Sequence, residues 1–146
     1  MQYIAFLLSF ALGHIFGSLI FYFTHRFIFH GKLGNFRLLR WLKAIHTRHH
    51  AKPDDLEKAL FPRWSILPIA LAFLIFGYFF PIFSIGVASF FPVYSYRHAK
   101  AHSGSDAYWA RHHRFHHWKN AHANYGGIYP ILDTILGTNV PIGDFK

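Results

Sequence analysis

The chain has no cysteine, which excludes disulfides and thiolate metal sites. Acid is also scarce. Six Asp and Glu face 15 Lys and Arg, a formal net charge of +9. Charged residues make up only 14%, against about 25% in an ordinary soluble domain. The basic residues flank long apolar runs, so an anionic lipid surface fits them more simply than nucleic acid does. No GxGxxG, P-loop or haem-attachment motif occurs. At 146 residues the length allows one domain, 1–146, and no more.

The chain is 53% hydrophobic and 21% aromatic, with 18 Phe and 13 His. Met1 to Thr24 carries no Asp, Glu, Lys or Arg, and about 20 residues suffice to cross the hydrocarbon of a bilayer. It lacks the basic start and cleavage site of a signal peptide. Gly13 and Gly17 have the GxxxG spacing that lets a second helix approach closely. Trp64 to Tyr96 is also uncharged. One straight helix of that length would reach about 50 Å, well over the roughly 30 Å core. Pro81 sits near its middle, which predicts two helices, 64–80 and 82–102, joined by a tight turn. All 15 Lys and Arg fall in 26–63 or 97–146. By the positive-inside rule both segments are cytoplasmic. The expected fold is an all-α, integral membrane helical bundle. It has about three transmembrane helices, 3–24, 64–80 and 82–97, and a cytoplasmic helical histidine-rich cap from 25–63 and 98–146. Further helices are expected at Leu38–His50, at Asp106–His117 behind a Ser105 or Asp106 cap, and at Ile131–Leu136, stopped by Gly137. Asn124–Gly127 reads as a turn.

Imidazole binds Fe, Zn, Cu and Ni while remaining neutral, and the histidines fall in four spaced groups. These are HRFIFH (His25, His30), HTRHH (His46, His49, His50), HAKAH (His98, His102) and HHRFHH (His112, His113, His116, His117). Residues at i+3 and i+4 share a helix face. His46/His49/His50 and His113/His116/His117 repeat one HxxHH pattern, and His98/His102 is an i,i+4 pair. His25 and His30 would diverge by about 140° on an ideal helix, so a kink or approach from two sides is required. His113 is preferred to His112 because it reproduces HxxHH. Ten imidazoles exceed one ion's capacity and suit two ions with about five ligands each. Any one of these histidines alone reads as a solvated or capping side chain; ten at one depth do not. His14 lies mid-span and needs a partner there.

In their order these motifs resemble the fatty acid hydroxylase/sterol desaturase superfamily, from about His25 to Thr138. LFPRWSILP and HHRFHH look most like the fatty acid 2-hydroxylase branch, and NYGG with DTILGT is similar to the superfamily's tail. The resemblance implies two metal ions, normally iron (with zinc able to substitute in isolated protein), and O2 as co-substrate. It implies His25, His30, His46, His49, His50, His98, His102, His113, His116 and His117 as ligands. His112, His122 and Asp106 are possible outer partners. Asp54, Asp55 and Asp133 are the other carboxylates available. The implied activity is hydroxylation or desaturation of a membrane lipid, foremost a fatty acyl chain, with a carotenoid or sterol as the alternative. Electrons would come from a separate cytochrome b5-type or ferredoxin-type donor, in a bacterial inner membrane or the endoplasmic reticulum. The rival from another class is a metal-binding membrane transporter. Its site should lie near the bilayer midplane, where only His14 is found.

Overall fold

The computed structural model describes residues 1–55 and 66–145, and every regular element among them is helical. The chain begins with α1 (Gln2–Phe23), which runs directly into one π-helical turn, Thr24–Phe29, and then a 3₁₀ turn, Lys32–Asn35. The other helices are α2 (Arg40–Ala51), α3 (Ile66–Phe79), α4 (Pro81–His102), α5 (Tyr108–Trp118) and α6 (Pro130–Ile135). The expected break at Pro81 is present. Proline takes the first position of α4, where its missing N–H costs nothing. The expected start at Trp64 lies outside the described residues, as does most of LFPRWSILP. The expected cap of α5 does not form. Ala107 is the flanking residue, with extended backbone (ψ 142) and no side-chain cap, and Ser105 Oγ only accepts the Ala107 N–H at 3.5 Å. α6 ends before Gly137, whose φ of +69° is the left-handed turn that glycine supplies at a helix end.

The chain forms two compact units. The first contains α1 as far as Ile20, α3, and α4 as far as Val93. Leu7, Leu8, Leu12, Leu71, Leu74 and Ile75 on its helices are exposed. A helix that is apolar all round and outward-facing suits a hydrocarbon solvent. Among the described residues one helix, Gln2–Phe29, is long and apolar enough to cross a membrane. α3 folds back along α4, bringing the Phe73 and Phe91 rings to 6.1 Å. The GxxxG spacing has a packing consequence. A Cβ at Gly13 would run into the Phe83 carbonyl, and one at Gly86 into the Phe10 carbonyl, so α1 and α4 touch backbone to backbone. His14 Nδ1 donates to Ser89 Oγ at 2.8 Å, because the Ser89 hydroxyl proton goes to the Gly86 carbonyl at 2.6 Å.

The second unit contains the π turn, the 3₁₀ turn, α2, the last turns of α4, α5 and α6. Lys43 Nζ donates to the Gly31 carbonyl and Asn35 Oδ1, pinning the 3₁₀ segment against α2. Arg114 donates to the carbonyls of Ala101 and Ser105. It thereby ties α5 to the end of α4 and satisfies acceptors that a helix terminus leaves open. Arg97 lies over the rings of Trp109 (4.3 Å) and Tyr129 (5.4 Å), linking α4, α5 and the start of α6.

Candidate metal centre

Each element of the second unit brings histidines at a spacing its helix type dictates. On α4, one α-helical turn aligns His98 with His102. On α2 the HxxHH pattern splits: His46 and His50, one turn apart, face one way, and His49 faces another. α5 mirrors it, with His113 and His117 together and His116 apart. The sequence predicts divergence of His25 and His30, and the π turn removes it. The His30 N–H bonds to the His25 carbonyl at 3.1 Å, an i→i+5 link that winds the backbone wider than an α-helix, and the two rings lie 5.0 Å apart. The spacing that misfits an α-helix fits this one.

The outcome is two groups of five. His25, His30, His46, His50 and His116 form the first; His49, His98, His102, His113 and His117 form the second. Within each group the candidate ligand nitrogens all lie within 4.8 Å of one another. The groups adjoin, with His50 stacked on His117 at 4.1 Å between ring centroids. All ten imidazoles singled out by the sequence are present in these groups, and no carboxylate among the described residues joins them.

Burial holds these rings neutral. His30 and His102 are pushed down to about 3, and His49 and His50 to about 4, by burial and mostly also by neighbouring imidazoles. His46, His113, His116 and His117 are also lowered, well below the usual imidazole range, by the same causes. A neutral imidazole carries one proton, so its two nitrogens have opposite roles. His25 Nδ1 meets the Tyr125 carbonyl at 2.7 Å, and His116 Nδ1 meets the Ala123 carbonyl at 2.6 Å. A carbonyl only accepts, so both protons are on Nδ1 and both Nε2 atoms present lone pairs.

Those lone pairs point at other nitrogens. In the first group the Nε2 contacts run His25–His46 (3.0 Å), His46–His30 (2.8 Å) and His30–His116 (3.1 Å). Both ends are acceptors. Alternating donors and acceptors cannot fill three contacts between two accepting ends, so protons alone always leave one contact repulsive. The second group makes a longer run of Nε2 contacts: His49–His98, His98–His102, His102–His113 and His113–His117, at 3.0–3.2 Å. A cation shared by the converging lone pairs resolves this frustration. All-imidazole sites suit Fe, Zn, Cu and Ni, so the residues fit a first-row transition metal in each group.

Aromatic rings wall the groups. Phe29 stacks on His46 at 4.6 Å and Tyr94 on His98 at 5.1 Å. Phe21 lies 5.3 Å from His25 and 4.4 Å from Tyr94. His112 is fully buried yet outside both groups, with Nε2 donating to Asn139 Oδ1 at 3.2 Å. His122 and Asp106 are exposed and belong to neither group. Asp54 and Asp55 lie in the turn after α2. Asp133 is the carboxylate that matters locally. It is fully buried, its carboxyl is raised by burial, and it accepts from Gly126 N–H and the Thr138 hydroxyl, each at 2.7 Å. Nothing in its spacing ranks it above the other acids, since its partners come from a loop and not from helical periodicity.

A histidine-rich helical protein with two adjacent five-imidazole groups and a long apolar helix is thus the class that fold and site define. The chain belongs to the fatty acid hydroxylase family, whose model matches residues 10–138. No curated protein and no solved structure matches it. Membership makes it a membrane-associated oxidoreductase of the hydroxylase/desaturase oxygenase type, and the histidine groups fit the metal dependence of that family.

Proposed function

We propose that the protein is a di-iron, O2-dependent lipid hydroxylase or desaturase acting on a fatty acyl chain. The observation that carries this reading is the pair of five-imidazole groups, the first of which no arrangement of protons satisfies. His25, His30, His46, His50 and His116 would hold one ion and His49, His98, His102, His113 and His117 the other. Iron held there would supply the oxidation of an unactivated C–H bond by O2 with two electrons and two protons from the donor and solvent, giving an alcohol and one water, or an alkene and two waters.

The chain's own residues do the rest. The carbonyls of Tyr125 and Ala123 fix the Nδ1–H tautomer of His25 and His116, leaving Nε2 for the ion. Phe21, Phe29 and Tyr94 present apolar faces beside the histidines, which restrict water and suit an acyl chain. No side chain in either group is suited to acid–base work while it ligates metal. The apolar first unit supports an integral, multi-pass protein, with three spans and the histidine unit on the basic, cytoplasmic side. Without a nucleotide or haem motif of its own, the chain would draw electrons from a separate cytochrome b5-type or ferredoxin-type protein.

Lipid mass spectrometry of cells expressing the chain, with a donor present and His49→Ala as control, tests the reading. A new hydroxylated or unsaturated acyl species is expected with the wild type alone. Identical lipid profiles for the two would reject it.

A further inference from the structure

We infer that Asp133 is a positioning residue for the first histidine group, acting through the Tyr125–Gly126 peptide; this rests on the metal-binding reading above. A peptide unit is planar, with its C=O and N–H pointing in opposite directions. Here one peptide is held at both ends. Its N–H, from Gly126, donates to Asp133 Oδ2 at 2.7 Å. Its carbonyl, from Tyr125, accepts His25 Nδ1–H at 2.7 Å. Fixing one end fixes the other, so Asp133 determines which face of the peptide His25 meets. A rotated peptide would offer His25 its N–H instead, which favours the opposite tautomer and turns the proton toward the metal position.

The carboxylate is itself held from the far side. The Thr138 hydroxyl donates to Asp133 Oδ1 at 2.7 Å. Its proton being used, Thr138 Oγ1 accepts the Tyr22 hydroxyl at 2.6 Å. Arg26 then donates to Tyr22 Oη at 3.2 Å. This one-way chain, from Arg26 through Tyr22 and Thr138 to Asp133, converges with Gly126 on one carboxylate. A second clamp fastens the same loop. Asn124, fully buried at φ +58°, pairs its side-chain amide with both backbone groups of Val140. Gly126 is required by the closeness of the contact, since a Cβ there would stand 2.6 Å from Asp133 Oδ2.

Four rings of the second group have no such link among the described residues: the Nδ1 atoms of His49, His102, His113 and His117 are buried and meet no acceptor there. Loss of the carboxylate therefore weakens one metal position and spares the other, whereas a residue that merely stabilised the fold would affect both.

The test is metal retention by the purified full chain, loaded with Zn(II) and dialysed against graded chelator, with circular dichroism melts alongside. Wild type is expected to retain two ions. Asp133→Ala should release one at about 10- to 100-fold lower chelator concentration, the range typical of outer partners, and hold the second as wild type does. Asp133→Asn, which can still accept Gly126 N–H, should lie between. Where Asp133→Ala does not fold, Thr138→Val supplies the same comparison with the carboxylate in place, and one ion should loosen selectively. Release of both ions together, or of neither earlier than in wild type, by folded variants overturns the inference and leaves the function standing. A wild type that retains no metal overturns both.

Discussion

The two histidine groups hold the same number of imidazoles and reach that number by different means. The second is assembled from ordinary α-helical spacing: His98/His102 on α4, His113/His117 on α5, and His49 from α2. The first needs a π turn to align His25 with His30 and a loop whose carbonyls fix His25 and His116. One group is oriented by helix geometry and the other by hydrogen bonds to irregular backbone. The first should therefore be the more sensitive to changes that touch no histidine.

The largest effect is expected where the groups are equal. His46→Ala and His113→Ala each remove a ligand from one group, and each should lower product formation at least about 100-fold in the lipid assay. Retention of substantial turnover by either would mean that the groups are not one centre. The next effect separates them. An alanine inserted between Ile28 and Phe29 turns His30 by about 100° away from the first group. Metal analysis should then show one ion per chain, held as tightly as the wild type's second-group ion.

The pH dependence follows from the depressed imidazoles. His49 and His50, held to about 4, and His30 and His102, held to about 3, stay neutral in the fold. Released in the unfolded chain they titrate near 6.5. Between those values the unfolded state binds more protons, so stability is fully present above about pH 7 and falls as pH drops toward 4. The metal-free protein should show a melting temperature that declines steadily over that window in calorimetric scans; a flat profile would contradict neutral burial. Smallest of all is Asp106→Ala. The residue is exposed and outside both groups, so stability should move by less than about 0.5 kcal/mol, with metal content unchanged.

What could be read from the sequence follows the same division. The i,i+4 pairs and the HxxHH repeats are legible because α-helical periodicity is a property of the chain alone. The alignment of His25 with His30 is not, because five residues imply divergence unless the helix widens, and no α-helical spacing rule announces a π turn. Asp133 was illegible for a similar reason. Its importance lies in a peptide plane seven residues away, and no spacing rule connects Asp133 with Gly126. His112 lies outside both groups, and the repeated HxxHH pattern is what sets it apart in the sequence. The α5 cap was not, since Ser105 and Asp106 stand too far before Tyr108 once Ala107 is extended.

The most direct test is the metal content of the purified wild-type chain reconstituted anaerobically with Fe(II) and dialysed to equilibrium. Two tightly held ions per chain, falling to one in His98→Ala, is the result this account predicts. One ion or none in the folded wild type would contradict it, since the ten imidazoles would then not form two metal sites.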